Sequence, residues 1–247
     1  MKKILSLDVA EFSCVLTKKL GTLGLEVHPF KVGWYNSQVK PVFKLPYDDN
    51  TVAFLIISTP QMFEKAFKPF VCSSELTGLK DPIDECMMFY LHQATQEFVD
   101  FDIDVIHDFE LLPNRRPLIL MQTVGHVAGV TYYYQRSDLK NDPWDKSQKI
   151  YGVCIHPRYG GWFSFRGVLI FKDVLCPDLV KNPPPDVVAS DELRIELLER
   201  FNFHWQDWSY RDIIPVVDIY SEEQKHYFST KPKDRKQLLD SMKKNWV

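Results

Sequence analysis

Apolar side chains recur along this chain at two spacings, and the alternation between them lays out its elements. From Val9 to Leu20 the residues Val9, Phe12, Val15, Leu16 and Leu20 fall three and four apart, the stripe of an amphipathic helix. Residues 51–57 (TVAFLII) form instead a continuous apolar, β-branched run that reads as a strand buried on both faces. Ser58, Pro60 and Gln61 then supply a cap, a first-turn proline and a capping-box glutamine for a second helix, with Met62, Phe63, Ala66, Phe67 and Phe70 on its inner face. Asp81-Pro82 starts a third, whose buried stripe is Ile83, Met87, Tyr90, Leu91, Ala94 and Phe98.

The period then changes. Residues 102–111 alternate Ile103, Val105 and Phe109 with polar groups, as a half-buried strand does. A proline-bracketed turn at 113–117 leads into residues 118–134, which have helical character, with Gly125, Ala128 and Gly129 leaving room for a close neighbour. Two strand-like runs, 150–155 and 162–171, flank the loop His156-Pro157-Arg158-Tyr159-Gly160-Gly161, where glycines let backbone approach a ligand. Three prolines at 183–185 make a stiff spacer. Ser190 caps a helix reaching Phe201, Ser221 to Gln224 is a capping box, and Pro232 opens a basic final helix with Leu238, Leu239 and Met242 facing inward. The order predicts an α+β protein, one domain over residues 1–247, with a helical C-terminal portion from about 190 to 247 packed on the sheet.

Composition narrows the function without naming it. The 247 residues carry a formal net charge of -3, which gives no general reason to expect nucleic acid or an anionic membrane as partner. The five cysteines, Cys14, Cys72, Cys86, Cys154 and Cys176, are odd in number and never spaced C-x-x-C, which reads as reduced thiols in a cytoplasmic protein. Asp8 and Glu11 interrupt the N-terminus before a signal peptide's apolar stretch develops, and no uncharged run reaches the length of a membrane span. Phosphate-cradling glycine loops, a serine nucleophile elbow and the H-E-x-x-H zinc motif are all absent, and the seven histidines are scattered, so no metal site is expected. Tyrosine, tryptophan and arginine concentrate at 132–136, 158–166 and 201–211. Read alone, that density serves equally a large planar ligand or a core of amphipathic rings.

Several segments carry a resemblance: Lys68-Pro69-Phe70, Pro113-Asn114-Arg115-Arg116-Pro117, His126-Val127-Ala128-Gly129, Tyr132-Tyr133-Tyr134-Gln135-Arg136, Gly152 to Arg158 (GVCIHPR), Phe201-Asn202-Phe203-His204-Trp205, Tyr220 to Lys225 and Tyr227 to Thr230. Together they closely resemble the CblC-type (methylmalonic aciduria and homocystinuria type C) family, in matching order over nearly the whole chain. The resemblance implies a fold similar to flavin-dependent nitroreductases, with a central, mostly antiparallel sheet flanked by helices. It implies reductive removal of cyanide from cyanocobalamin and transfer of alkyl groups from alkylcobalamins to glutathione, with the vitamin bound base-off. Flavin, as FAD or FMN, enters as a candidate reductant, a CblD-type trafficking protein as downstream partner, and the oligomer as a monomer or ligand-dependent homodimer. By residue-level match, Asp108, Ile119, Leu120, Met121, Gln122, Tyr133, Tyr134, Gln135, Cys154 and Phe165 would line the cobalamin site, and Arg166, Arg211 and Arg235 would form the glutathione pocket.

The chemistry of the arginines follows independently. Guanidinium forks bind carboxylates in two-point fashion, and positive charge draws a thiol toward its thiolate. A solvated surface charge is the commoner fate of an arginine; that reading is strong for Arg235, set among Lys231, Lys233 and Lys236, and weaker for Arg166 inside a strand pattern. His126-Val127-Ala128-Gly129 resembles the D-x-H-x-x-G motif of cobalamin methyltransferases, but Val124 stands where the orienting aspartate would be, so His126 is not assigned to cobalt. Cys154 reads as a packed thiol. The rivals are a carrier that binds cobalamin without turning it over and a flavin reductase indifferent to corrinoids. Under air, a bound cobalamin cycling between oxidation states would also oxidise glutathione.

Overall fold

The computed structural model describes residues 9–73 and 80–246. The final position of the chain and the segment 74–79, like residues 1–8 with Asp8, lie outside the described residues.

Helix α1 (Val9–Leu20) buries Phe12, Leu16 and Leu20, the stripe its spacing predicts. After a short turn come strand β1 (Leu25–Lys31) and the single-turn helix α2 (Val32–Asn36). The sequence pattern gave no sign of β1. Its polar residues and Pro29 are tolerated because it is the edge of its sheet, where one row of backbone groups needs no partner. Strand β2 (Thr51–Ser58) is buried at every position, as its continuous apolar run requires. The expected second helix is two pieces, a π-helical turn at Phe63–Phe67 and α3 (Lys68–Ser73). Helix α4 (Pro82–Thr95) starts at its predicted cap: the Asp81 carboxylate accepts from the backbone N–H of Ile83 and Asp84.

Strand β3 (Ile103–His107) is shorter than predicted; Phe109 lies beyond it, half exposed and stacked on His107. The single helix expected over 118–134 divides into α5 (Met121–Val127) and strand β4 (Tyr132–Tyr134). The break is at Gly129, whose φ of 72° ends the helix, while Val130 and Thr131 N–H both turn back to the Gly125 carbonyl. Strand β5 (Val153–Ile155) pairs with β4, and β6 (Ser164–Leu175) crosses the molecule. Helices α6 (Asp191–Phe203), α7 (Glu222–Ser229) and α8 (Arg235–Met242) complete the chain; in α8 Leu239 and Met242 are buried and Leu238 is partly so.

The central sheet has the order β1-β2-β6-β3, antiparallel throughout. Each face carries its own core. One gathers α1, α3 and α4 with Tyr227 and Leu239 from the C-terminal helices; the other gathers Tyr35, Ile119, Met121 and Val124. A third cluster joins β4 and β5 to α6. The Ser190 side chain caps α6 by accepting from Leu193 N–H at 3.2 Å. Ser190→Ala is expected to cost about 1 kcal/mol, lowering the melting temperature by roughly 2–4 °C in calorimetry.

Candidate functional site

Pairing between β2 and β6 slips twice, and the second slip shapes the site. Ile56 faces Gly167 and Ile57 faces Phe165, so Arg166 has no partner on β2 and bulges out. A bulge reverses the side-chain phase of a strand. Phe165 consequently packs with Val168 and Ile170 on one face of the sheet. Arg166 is carried to the opposite face, where its Nε donates to Ser58 Oγ at 2.8 Å.

On the Phe165 face lies an open cleft of about 410 Å³. Ile119, Leu120, Met121 and Gln122 at the start of α5 form one wall, with Gly152, Val153 and Cys154 beside them. Phe163, Ser164 and Phe165 form the floor, Asp108 closes the end of β3, and Phe201, Tyr210 and Arg211 reach over from the C-terminal third. Of the residues singled out from sequence, Asp108, Ile119, Leu120, Met121, Gln122, Cys154, Phe165 and Arg211 thus share one cavity. Tyr133 and Gln135 stand behind its wall: a Cβ at Gly152 would come within 2.6 Å of the Tyr133 ring and 3.0 Å of Gln135 Cγ. Tyr134 goes elsewhere. Its ring is fully buried in the third cluster, where its hydroxyl donates to Asp186 at 2.8 Å and accepts from Val187 and Val188 N–H at 2.9 and 2.8 Å.

Arg211 is held in an unusual way. The rings of Trp162, Trp208, Tyr210 and Tyr220 surround its guanidinium, with centroids 5.2–5.4 Å away. It donates to the Gly161 carbonyl, and its buried Nε has no partner. Among the described residues no carboxylate pairs with it; neighbouring Asp212 accepts instead from Trp162 Nε1 at 2.6 Å. Ring faces attract a cation without cancelling its charge, so this guanidinium remains available to an incoming anion.

The loop that carries Gly161 is built from histidine chemistry. His156 Nδ1 accepts from Arg158 and Tyr159 N–H at 3.1 and 3.2 Å, and Gly161 N–H donates to the Arg211 carbonyl at 2.9 Å. Tyr159 donates its hydroxyl to Glu26 on β1 at 2.5 Å. Burial lowers the His156 pKa to about 4. For Glu26, burial acts upward but is outweighed by hydrogen bonds from His28 and Tyr159, which bring it to about 2. Both groups bind fewer protons folded than unfolded, so both lend stability that is lost on acidification. The His156 share is expected to fade as pH falls from about 6.5 through 4, and the Glu26 share from about 4.5 toward 2. Melting curves taken across this range should decline in two stages, and Glu26→Gln should remove the lower one while moving the His156 stage to lower pH, because the Glu26 charge holds the His156 pKa up.

Arg235 sits with Arg166 on the far side of the sheet. Its NH1 lies 3.6 Å from Asp81, and its guanidinium covers the Tyr227 ring at 5.1 Å. Asp108 links this cluster to the cleft, since its N–H donates to the Arg166 carbonyl at 3.4 Å. Burial raises the Asp108 pKa, with the Arg166 charge opposing it. The sequence patterns did not single out the four-ring enclosure as a unit, nor Asp84 and Tyr227 as companions of these arginines. The aromatic density at 158–166 and 201–211 was the one signal for the former, and nothing local signals the latter.

His126 accepts from Tyr133 N–H through Nδ1 at 3.2 Å, so in its neutral form the proton sits on Nε2. Burial and then Lys181 lower its pKa, which keeps it neutral. Burial pushes the Cys154 thiol up to about 12, and its Sγ–H points to the Gln122 carbonyl at 3.7 Å. Iodoacetamide at pH 8 is expected to label exposed Cys14 and spare Cys154, a pattern that peptide mass mapping reads directly. Among the described residues, no three His, Cys, Asp or Glu side chains are grouped so as to hold a metal ion, and no helix is long and apolar enough to cross a membrane.

A floor of Phe163 and Phe165, an apolar wall and an unneutralised guanidinium at the rim, on a frame of helices around an antiparallel sheet, make the kind of open, largely apolar cleft that ligand-binding proteins use. The chain belongs to the methylmalonic aciduria and homocystinuria type C (MMACHC) family, whose sequence model matches residues 24–239. It is 57% identical over 220 residues to the Gallus gallus protein named cyanocobalamin reductase / alkylcobalamin dealkylase, covering 89% of this chain and 92% of that one. The Homo sapiens protein of the same name is 50% identical over 231 residues, covering 94% and 82%. Among solved structures, that of a Caenorhabditis elegans B12-trafficking protein CblC, described as a human MMACHC homologue, superposes with a TM-score of 0.86 at 33% identity, over 97% of this chain and 96% of that one.

Proposed function

We propose that this protein binds cobalamin base-off in the Phe165 cleft and removes its upper axial ligand, by reductive decyanation of cyanocobalamin and by transfer of alkyl groups to glutathione. The observation that carries the reading is the cleft itself: a hydrophobic floor wide open on one side, with the uncancelled charge of Arg211 at its rim. The names of the relatives support it, since those proteins are a cyanocobalamin reductase and alkylcobalamin dealkylase at 50–57% identity.

In dealkylation the glutathione thiol loses its proton to solvent, and the thiolate attacks the carbon bonded to cobalt. The cobalt–carbon bond breaks with its electron pair left on the metal, so cobalt(III) becomes cobalt(I) and the products are cob(I)alamin and a thioether. Arg211 would hold a carboxylate of the tripeptide and favour the thiolate. In decyanation one electron reduces cobalt(III) to cobalt(II), and cyanide departs with its bonding pair. Loss of the lower nitrogen donor favours both steps, because electron density along that axis falls. The electron comes from a thiol or a reduced flavin. Phe165 and Met121 would accept an isoalloxazine ring on the surface assigned to the corrin, so flavin fits as a visiting reductant. We also read the chain as one domain of nitroreductase-like fold acting in the cytoplasm, with a CblD-type protein receiving the product and with the vitamin's redox cycling under air as the source of any thiol oxidation.

Methylcobalamin and glutathione test the proposal. The expected result is S-methylglutathione formed well in excess of protein, together with the spectrum of reduced cobalamin. A spectral change that stops at one equivalent, with no thioether, would leave a carrier instead of an enzyme.

A further inference from the structure

Arg211 is placed by a turn whose central side chain stands outside the cleft. Gly161 N–H donates to the Arg211 carbonyl at 2.9 Å, and the Gly161 carbonyl accepts from the Arg211 guanidinium. The two backbones lie so close that a Cβ on Gly160 would collide with the Arg211 carbonyl oxygen, and one on Gly161 would come within 2.8 Å of the Arg211 Cα. Among the described residues the Gly161 carbonyl is also the one hydrogen-bond acceptor of the guanidinium. The four surrounding rings attract the cation but do not direct its fork. Whatever fixes the 156–161 backbone therefore fixes where Arg211 points. His156 does so. Its N–H and C=O exchange hydrogen bonds with Gly160, both at 2.9 Å, and its Nδ1 accepts from Arg158 and Tyr159 N–H at 3.1 and 3.2 Å. One buried ring thus closes the turn from inside, stacked on Tyr159 at 4.6 Å and packed against Phe163 of the cleft floor at 5.8 Å. Nδ1 accepts only while it carries no proton, so the neutral ring holds its hydrogen on Nε2. A Glu26 carboxylate oxygen on β1 lies 4.0 Å from that nitrogen, and its negative charge favours a hydrogen there.

We infer that His156 is a positioning residue for the thiol-dependent reaction: its Nδ1 holds the 156–161 turn in the form that presents the Arg211 guanidinium to the cleft, and Glu26 favours the tautomer that lets it do so. The inference rests on the reading of Arg211 as the group that holds a carboxylate of the thiol substrate, and it adds what keeps that group in place. Without the ring nitrogen, the Arg158 and Tyr159 N–H groups lose their acceptor, and backbone donors beneath a buried ring are rarely left without one. The turn satisfies them again by opening toward water, which carries the Gly161 carbonyl away from the guanidinium. Gly160, with its φ of 55°, can follow that movement, because glycine is free on either side of zero. A displacement of about 1 Å is enough to cost on the order of a hundredfold where a contact must be aligned for reaction. Ser164 and Phe165 of the floor are held separately, by pairing with β2. The effect therefore falls on the thiol more than on the vitamin.

Two substitutions at one position separate the acceptor from the ring. His156→Phe keeps an aromatic ring between Tyr159 and Phe163 but removes the nitrogen; His156→Asn keeps an acceptor near the place of Nδ1 and removes the ring. In methylcobalamin dealkylation, His156→Phe is expected to raise KM for glutathione by about tenfold or more while kcat stays within about threefold. His156→Asn should hold that KM within about threefold of the unaltered protein. A cyanocobalamin titration of each sample reports folding. The deciding comparison is made on Arg211→Ala: once the guanidinium is gone, adding His156→Phe should change the glutathione kinetics by less than about twofold. Glu26→Gln leaves the ring in place and removes the charge facing it, so it carries the same test if His156→Phe does not fold. A rise of about threefold in the same KM, lost on the Arg211→Ala background, is expected of it. An unaltered KM in His156→Phe, equal losses in the Phe and Asn variants, or an effect that persists in full without Arg211 overturns the positioning role. Arg211→Ala with unaltered glutathione kinetics overturns the reading of the rim itself, whereas a reaction that needs Arg211 but is indifferent to His156→Phe overturns this inference alone.

Discussion

Arg211→Ala is expected to lower kcat/KM for glutathione in methylcobalamin dealkylation by about a hundredfold, on the scale of a lost charge-assisted contact. Three features set the size of the effect. The guanidinium has no carboxylate to satisfy it among the described residues, so its whole charge is available to the substrate. Four rings and the Gly161 carbonyl fix its orientation in advance, so little side-chain entropy is lost on binding. Its position on the cleft rim puts it beside the face where cobalt would react. Lysine should not rescue it: an ammonium has no planar fork for a carboxylate and no flat face to lie between Trp162 and Trp208, so roughly tenfold or more of the loss should remain. Initial rates of thioether formation against glutathione concentration measure this directly. A cyanocobalamin titration on the same variant should change far less, because in the proposed arrangement the apolar floor holds the corrin. An Arg211→Ala protein with unaltered glutathione kinetics would remove this residue from the mechanism.

Tyr134→Phe is expected to destabilise the protein by about 2–4 kcal/mol, lowering its melting temperature by roughly 5–15 °C. The substitution deletes one oxygen. That oxygen accepts two backbone N–H groups from Val187 and Val188 and donates to Asp186, and the Tyr134 and Val188 side chains are fully buried. The two backbone N–H groups would be left short of an acceptor beside the buried cluster, where water reaches them only by opening it, while the partly exposed Asp186 can turn to solvent. Arg194, which pairs with Asp186 at 2.5 Å and packs over the Tyr134 ring, would lose part of its anchorage as well. Denaturant titration measures the loss. The folded fraction should still bind cobalamin with near-normal affinity, because Tyr134 does not line the cleft. Family likeness gives Tyr134 a place in the ligand site; its hydrogen bonds give it the task of tying the 183–188 spacer to the small sheet. A Tyr134→Phe variant of normal stability with impaired corrin binding would decide for the former.

The helices that begin with Ser or Asp caps, and the strand made of one apolar run, could be read directly from the chain, because their causes lie within a few residues of each other. Strand β1 could not. Its register comes entirely from β2, and its polar residues with Pro29 resemble a loop until the partner strand is present. The division of 118–134 turned on a single left-handed glycine, against a pattern of small and apolar residues that fits a longer helix. At the site, the cleft-lining residues from 119 to 122, with Cys154, Phe165 and Arg211, were marked by family likeness, and they converge in one cavity. Arg166 and Arg235 were marked beside Arg211, yet the bulge in β6 carries Arg166 to the other face of the sheet.

The sequence by itself determined where the capped helices start, which strand lies in the interior, and that apolar and aromatic side chains suffice for a core. These follow from periodicity, capping and composition, which act over a few residues, while the quoted segments carried the family resemblance. Tertiary structure alone decided which face of the sheet each functional group occupies, which arginine keeps its charge free, and which tyrosine serves the fold. Those outcomes depend on a one-residue slip between β2 and β6 and on distant partners, such as Ser58 with Arg166, 108 positions away. Charge and hydrogen bonding act through space, and only the folded chain brings such distant groups into range.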